Sequence, residues 1–153
     1  MVNILDRDTI LKMLNPLKAA ALPIFGTMTA QHMVEHLILT VRFSNGKEPQ
    51  HQHYSREKEA KIKEFVIGTS KEMPIGFKSP VLPAEGLLPL ACSSLGSAKD
   101  RLRMELKDFD LHFESNPLDK PINPTMGQLN YQEWIIFHNK HFTHHFNQFN
   151  LLG

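Results

Sequence analysis

A single cysteine, Cys92, stands in 153 residues. No disulfide within the chain can hold the fold, and a thiolate zinc site has no second sulfur to draw on. Cys92 as a nucleophile is a separate reading, but it sits in an apolar stretch rich in proline and glycine with no evident base beside it. Charge of one sign is also scarce in excess: 17 Lys and Arg against 16 Asp and Glu leave a formal +1. Phosphate backbones call for a basic face, so nucleic acid is not an expected partner. No apolar run approaches membrane-spanning length, and MVNILDRDTI carries acidic residues where a signal peptide has its apolar core. No membrane partner is expected, and the expected location is the cytoplasm. Strand-like alternation does not persist, and no repeat or low-complexity tract occurs. What is left is one helical domain, residues 1–153, large enough for a sizeable core.

Helical spacing recurs in four segments. Ile4, Ile10, Leu11, Leu14 and Leu17 predict a first helix over 4–21, kinked or ended by Pro16 near Asn15. Thr27 or Thr29 caps a second, on which Met33, His36, Leu37 and Thr40 form one stripe and which Asn45-Gly46 stops. Residues 48–63 start polar and become helical, with charges at i, i+4 spacing that suit a solvated extension. Residues 67–96 hold prolines, glycines and little charge; their apolar content suits a lid or wrap packed on the helices. Leu95, Leu102, Leu106, Phe109 and Phe113 mark a third strong helix over 97–114, and a proline-marked linker over 117–127 leads to the last. Four such stripes bury one another in an all-α four-helix bundle with a long decorated connection between helices 2 and 3.

The last segment, 130–152, concentrates histidine: His138, His141, His144 and His145 lie within eight residues. Asn130 and Glu133 read as a reciprocal cap that starts it. At about 100° per residue, Trp134, His138, His141, His145 and Gln148 fall within about 80° of one another, on the apolar side. The opposite arc carries Glu133, Asn139, Lys140, Thr143 and Asn147, with Ile136 as its one apolar member. Histidine is thus placed in the buried stripe. An i, i+4 pair of imidazoles can converge on one point, and several buried imidazoles without a shared metal or anion cost about a few kcal/mol. His36 faces inward from another helix. The spacing His32, Glu35, His36 also spells H-x-x-E-H, a zinc-peptidase pattern; those enzymes need a larger domain, and His32 is turned about 40° from His36.

Two stretches carry a family resemblance. Residues 25–36, FGTMTAQHMVEH, and 141–149, HFTHHFNQF, resemble the Gly-x-Met-Thr/Ser-x-x-x-Met-x-x-His segment and the His-x-x-His-His-x-x-Gln-Phe ending of the DinB/YfiT-like superfamily, in a bacterial branch of small proteins. The 54–92 insert matches only loosely. The resemblance implies a DinB-like four-helix bundle in which His36, His141 and His145 hold a divalent metal ion, with Zn, Ni or Fe left open. It gives His144 a supporting role; His138 and Gln148, on the same face, suit hydrogen bonds to the ligand rings or to bound water. Relatives use a low-molecular-weight thiol to transfer or isomerise small electrophiles, so the implied function is a thiol-dependent transferase or isomerase acting on a small molecule, with metal-dependent hydrolysis next. Members often pair through bundle faces, which makes a homodimer one expectation. The competing reading is a non-catalytic helical bundle whose histidines only fill a polar seam.

Overall fold

The computed structural model describes residues 1–153. The chain is mostly helical: α1 Arg7–Leu14, α2 Ala30–Ser44, α3 Arg56–Val66, α4 Leu95–Ser115, a hairpin of β1 Ile122–Asn123 with β2 Gly127–Gln128, and α5 Tyr131–Gln148. The extension expected over 48–63 supplies the fifth helix. The hairpin is antiparallel, pairing Ile122 with Gln128, and is a feature the alternation pattern was too short to signal. Asn123 Oδ1 accepts from both Thr125 N and Thr125 Oγ1, which folds the turn locally.

Helix ends follow side-chain chemistry more than apolar spacing. α1 stops at Leu14, well short of Ala21, because Pro16 has no N–H with which to continue the ladder. Thr29, and not Thr27, caps α2 by accepting from His32 N. α4 starts two residues earlier than the spacing predicts, since Ser94 and Ser97 form a reciprocal cap. α5 begins at the Asn130–Glu133 cap as read, but ends at Gln148 and not at Leu152. Asn150 takes a left-handed φ of 54°, and Leu151 N and Asn150 N then bond Phe146 O and Asn147 O, the closing pattern of a Schellman end.

α2 packs on both α4 and α5, α1 lies on α4, the hairpin touches α2 through β1, and α3 leans on β2. Trp134, Phe109, Phe142 and Phe146 are fully buried in the shared core. Three features of the interior run against the spacing argument. The arc of α5 opposite the histidines is not solvated: Thr143 Oγ1 accepts from Val2 N, Asn139 Oδ1 from Ile4 N, and Lys140 is buried with its Nζ on Val66 O and Thr69 O. Chain start and α3 end thus cover that arc, leaving Gln132, Ile136 and Asn147 as its exposed positions. The second feature is Glu105, fully buried on α4. It accepts from Asn45 Nδ2, Lys47 Nζ, Arg101 Nε and Arg42 Nη1 at 2.9 to 3.3 Å. Burial opposes its charge, but Asn45, Lys47 and Arg101 win and hold its carboxyl below the usual range. The third is that residues 67–94 form no helix or strand, yet Met73, Val81 and Cys92 pack against the core. No helix is long and apolar enough to cross a membrane.

Candidate metal centre

α2 contributes His36 and α5 contributes His141 and His145, all three buried. The facing nitrogens are Nε2 atoms: His36 to His141 at 3.0 Å and His145 to His141 at 3.1 Å. One donor atom from each ring lies within 4.8 Å of the others. Four-coordinate zinc with Zn–N bonds of about 2.05 Å would space its nitrogens about 3.3 Å apart. Two of the three separations, at 3.0 and 3.1 Å, already lie close to that spacing.

The hydrogen bonds around the cluster determine where each proton sits. Gln148 Nε2 donates to Phe25 O at 3.0 Å, which turns its Oε1 toward His145 Nδ1 at 2.8 Å. His145 therefore carries its proton on Nδ1 and points a bare lone pair from Nε2. Thr40 gives its hydroxyl proton to Leu37 O, leaving its oxygen to accept from His141 Nδ1 at 3.4 Å. His141 Nε2 is then bare as well. Two lone pairs face each other at 3.1 Å, and a lone pair cannot bond a lone pair. His36 can satisfy one of them by donating from Nε2, but its own Nδ1 has no partner although buried. Something electropositive between the rings relieves the rest, and a divalent cation does so for all three nitrogens.

Protonation does not supply that charge at neutral pH. Burial, and after it the His144 charge, lowers His36 to about 4. Burial, followed by the neighbouring imidazoles, pushes His141 and His145 well below their ordinary value. All three rings are neutral donors. Phe137 stacks on His141 with ring centres 5.1 Å apart and planes at 16°, which fixes that ring from the apolar side.

The other sequence candidates fall at different distances. Gln148 touches His145 directly. His144 is half-buried, its ring centre 5.0 Å from His145 and 5.1 Å from Phe25. His138 bonds none of the three rings. Its Nε2–H donates to Ser44 Oγ at 2.8 Å, while the ring stacks on Trp134 and its Nδ1 is left without a partner. The reason is register: one turn toward the start of α5, the opposing residue on α2 is Ser44 and not His36. The peptidase pattern does not assemble. His32 accepts from Thr29 Oγ1 and donates to Leu88 O, while the Glu35 carboxylate accepts from Ala91 N, Cys92 N and Gln31 Nε2. Both side chains serve to tie the 67–94 connection to α2. Cys92, beside them, has its thiol pushed up by burial and by Glu35, the opposite of an activated nucleophile.

Two cavities meet at the cluster. One of about 1020 Å³ lies under the connection and reaches His36, His144, His145 and Gln148. A second, of about 310 Å³, reaches His36, His141, His144 and His145 from the side of α3. The sequence points to a pocket shaped by the proline-rich connection at these histidines, and both cavities are bounded by it; that there are two does not follow from spacing. No family model, curated protein or solved structure matches the chain.

Proposed function

We propose that the chain is a DinB-like four-helix bundle, with α3 as an appendage, that holds one divalent metal ion on His36, His141 and His145 and acts on a small molecule. The observation that carries this reading is the convergence of three buried ring nitrogens from α2 and α5, with His141 and His145 Nε2 3.1 Å apart and each ring engaged on its far side by Thr40 or Gln148. The favoured reaction is thiol-dependent transfer or isomerisation of an electrophilic substrate, with hydrolysis next. A divalent ion held by three neutral imidazoles keeps its full charge and at least one open position, and so favours the ionised form of a bound thiol or water.

The chain's own residues define the rest. Gln148 holds the His145 ring in the ligating tautomer. The connection over 67–94, tied down through Glu35 and His32, roofs the larger cavity. His36, His144 and His145 border both cavities, so two reactants can approach from different sides, an arrangement that favours group transfer over hydrolysis.

The test is elemental analysis of untagged protein purified without nickel resin. The expected result is about one equivalent of Zn, Ni or Fe per chain, lost in His145→Ala. Absence of stoichiometric metal, together with a melting temperature indifferent to chelator, leaves the non-catalytic bundle as the surviving account. With metal found, loss of free thiol from a set of low-molecular-weight thiols and electrophiles identifies the reaction.

A further inference from the structure

α3 is strongly charged, REKEAKIKEFV, and its apolar residues besides Ala60 are Ile62, Phe65 and Val66. All three line the 310 Å³ cavity. Phe65 stays 36% exposed, with Lys71 Nζ over its ring, and Phe77, on the connection, 44% exposed, so the core leaves part of both rings uncovered. Phe43 and Phe137 close the inner end beside His141. Polar groups are sparse along these walls, and the imidazoles sit at the inner end, away from the mouth that Lys61 and Phe65 border. Such a chamber rewards hydrocarbon along its length and a polar group only at its closed end. A cavity of about 150 Å³ takes benzene, so this one holds about twelve non-hydrogen atoms, which with a few left to the reacting end suits a hydrocarbon of roughly eight to ten carbons.

We propose that this chamber binds the hydrocarbon part of the substrate, an apolar chain or ring system of roughly eight to ten carbons, and sets its reacting end at the three-histidine cluster. The chamber itself needs no metal, whereas the role of the reacting end rests on the function proposed above. The larger cavity is left for the co-substrate.

Two probe series separate the claims, titrated calorimetrically into zinc-loaded protein: n-alkanols, which lack a chelating head, and n-alkyl hydroxamates, which carry one. Affinity in both series should tighten about threefold to fourfold per methylene and level off near ten carbons. Ile62→Trp fills the chamber from α3 and should abolish the gain for the longer members. Phe77→Trp does so from the exposed connection, where folding is not at stake. If affinity is independent of chain length, or if its dependence survives both substitutions, the chamber is not the site and the proposal falls. If the chain-length gain holds but hydroxamates bind no better than alkanols, the chamber stands and the metal reading falls.

Discussion

At the scale of single residues, the cluster depends on which ring nitrogen carries the proton. Gln148 decides this for His145, and Phe25 O decides it for Gln148. Gln148→Leu keeps the volume but frees the His145 ring to rotate, so zinc affinity should fall about 10- to 100-fold while the melting temperature of the stripped protein changes little. A competition titration against a chromophoric chelator measures it; unchanged affinity would remove Gln148 from the account. Gly26 leads to the same outcome by a different route. Its φ is 75°, and a Cβ there would lie 3.0 Å from Gln148 Nε2, so Gly26→Ala strains the turn and displaces the amide that orients the ring. His32→Ala is the contrast. Its ring binds Thr29 and Leu88, so metal content should be retained, whereas a peptidase-like site would lose it.

At the scale of elements, α5 shows what a sequence reveals and what it hides. Its stripe, its Asn130–Glu133 cap and the inward placement of His141 and His145 follow from spacing within one segment, and so does the His36 stripe on α2. Spacing says which residues share a face. It does not say what opposes that face, which is why His138 looked like a neighbour of the cluster until Ser44 proved to be its partner. Lys140 was equally illegible: an ammonium on the polar arc reads as solvated, yet the end of α3 lies over it. Its Nζ binds Val66 O and Thr69 O, at and just beyond the α3 terminus, where carbonyls lack helical partners and a cation is favoured. Burial lowers the Lys140 pKa, which measures what the site costs its charge. Lys140→Met removes both bonds and should cost about 2 kcal/mol. Hydrogen exchange is the sharper readout, since protection should drop across 56–66 and stay unchanged in α4. Uniform loss across the chain would mean that Lys140 supports the core and not the seating of α3.

At the scale of the whole molecule, the histidines make folding sensitive to acid in a defined window. Four imidazoles, at positions 36, 138, 141 and 145, are buried and held neutral. Burial lowers His36 to about 4 and His138 to about 3, whereas all four titrate near 6.5 once the chain unfolds. Between those limits the unfolded chain binds protons that the folded chain refuses, so this contribution is complete above about pH 6.5 and is lost as pH falls toward 4 and 3. Glu105, its carboxyl held below 4.5, loses its share only at lower pH, so the imidazoles act first. Four protons correspond to about 5 kcal/mol per pH unit at the steepest point, against a total stability of about 5–15 kcal/mol for an ordinary domain. The stripped protein should therefore unfold cooperatively near pH 5, above the range in which carboxylates dominate. Zinc at 100 times its dissociation constant adds about 2.7 kcal/mol at neutral pH. That margin must vanish on acidification, because the same three nitrogens cannot hold a proton and the ion at once. Melting curves of loaded and stripped protein should lie apart at pH 7.5 and converge by about pH 5. If the stripped protein keeps its pH 7.5 melting temperature at pH 4, the imidazoles are not desolvated as placed here; if the two curves coincide at every pH, no metal was bound.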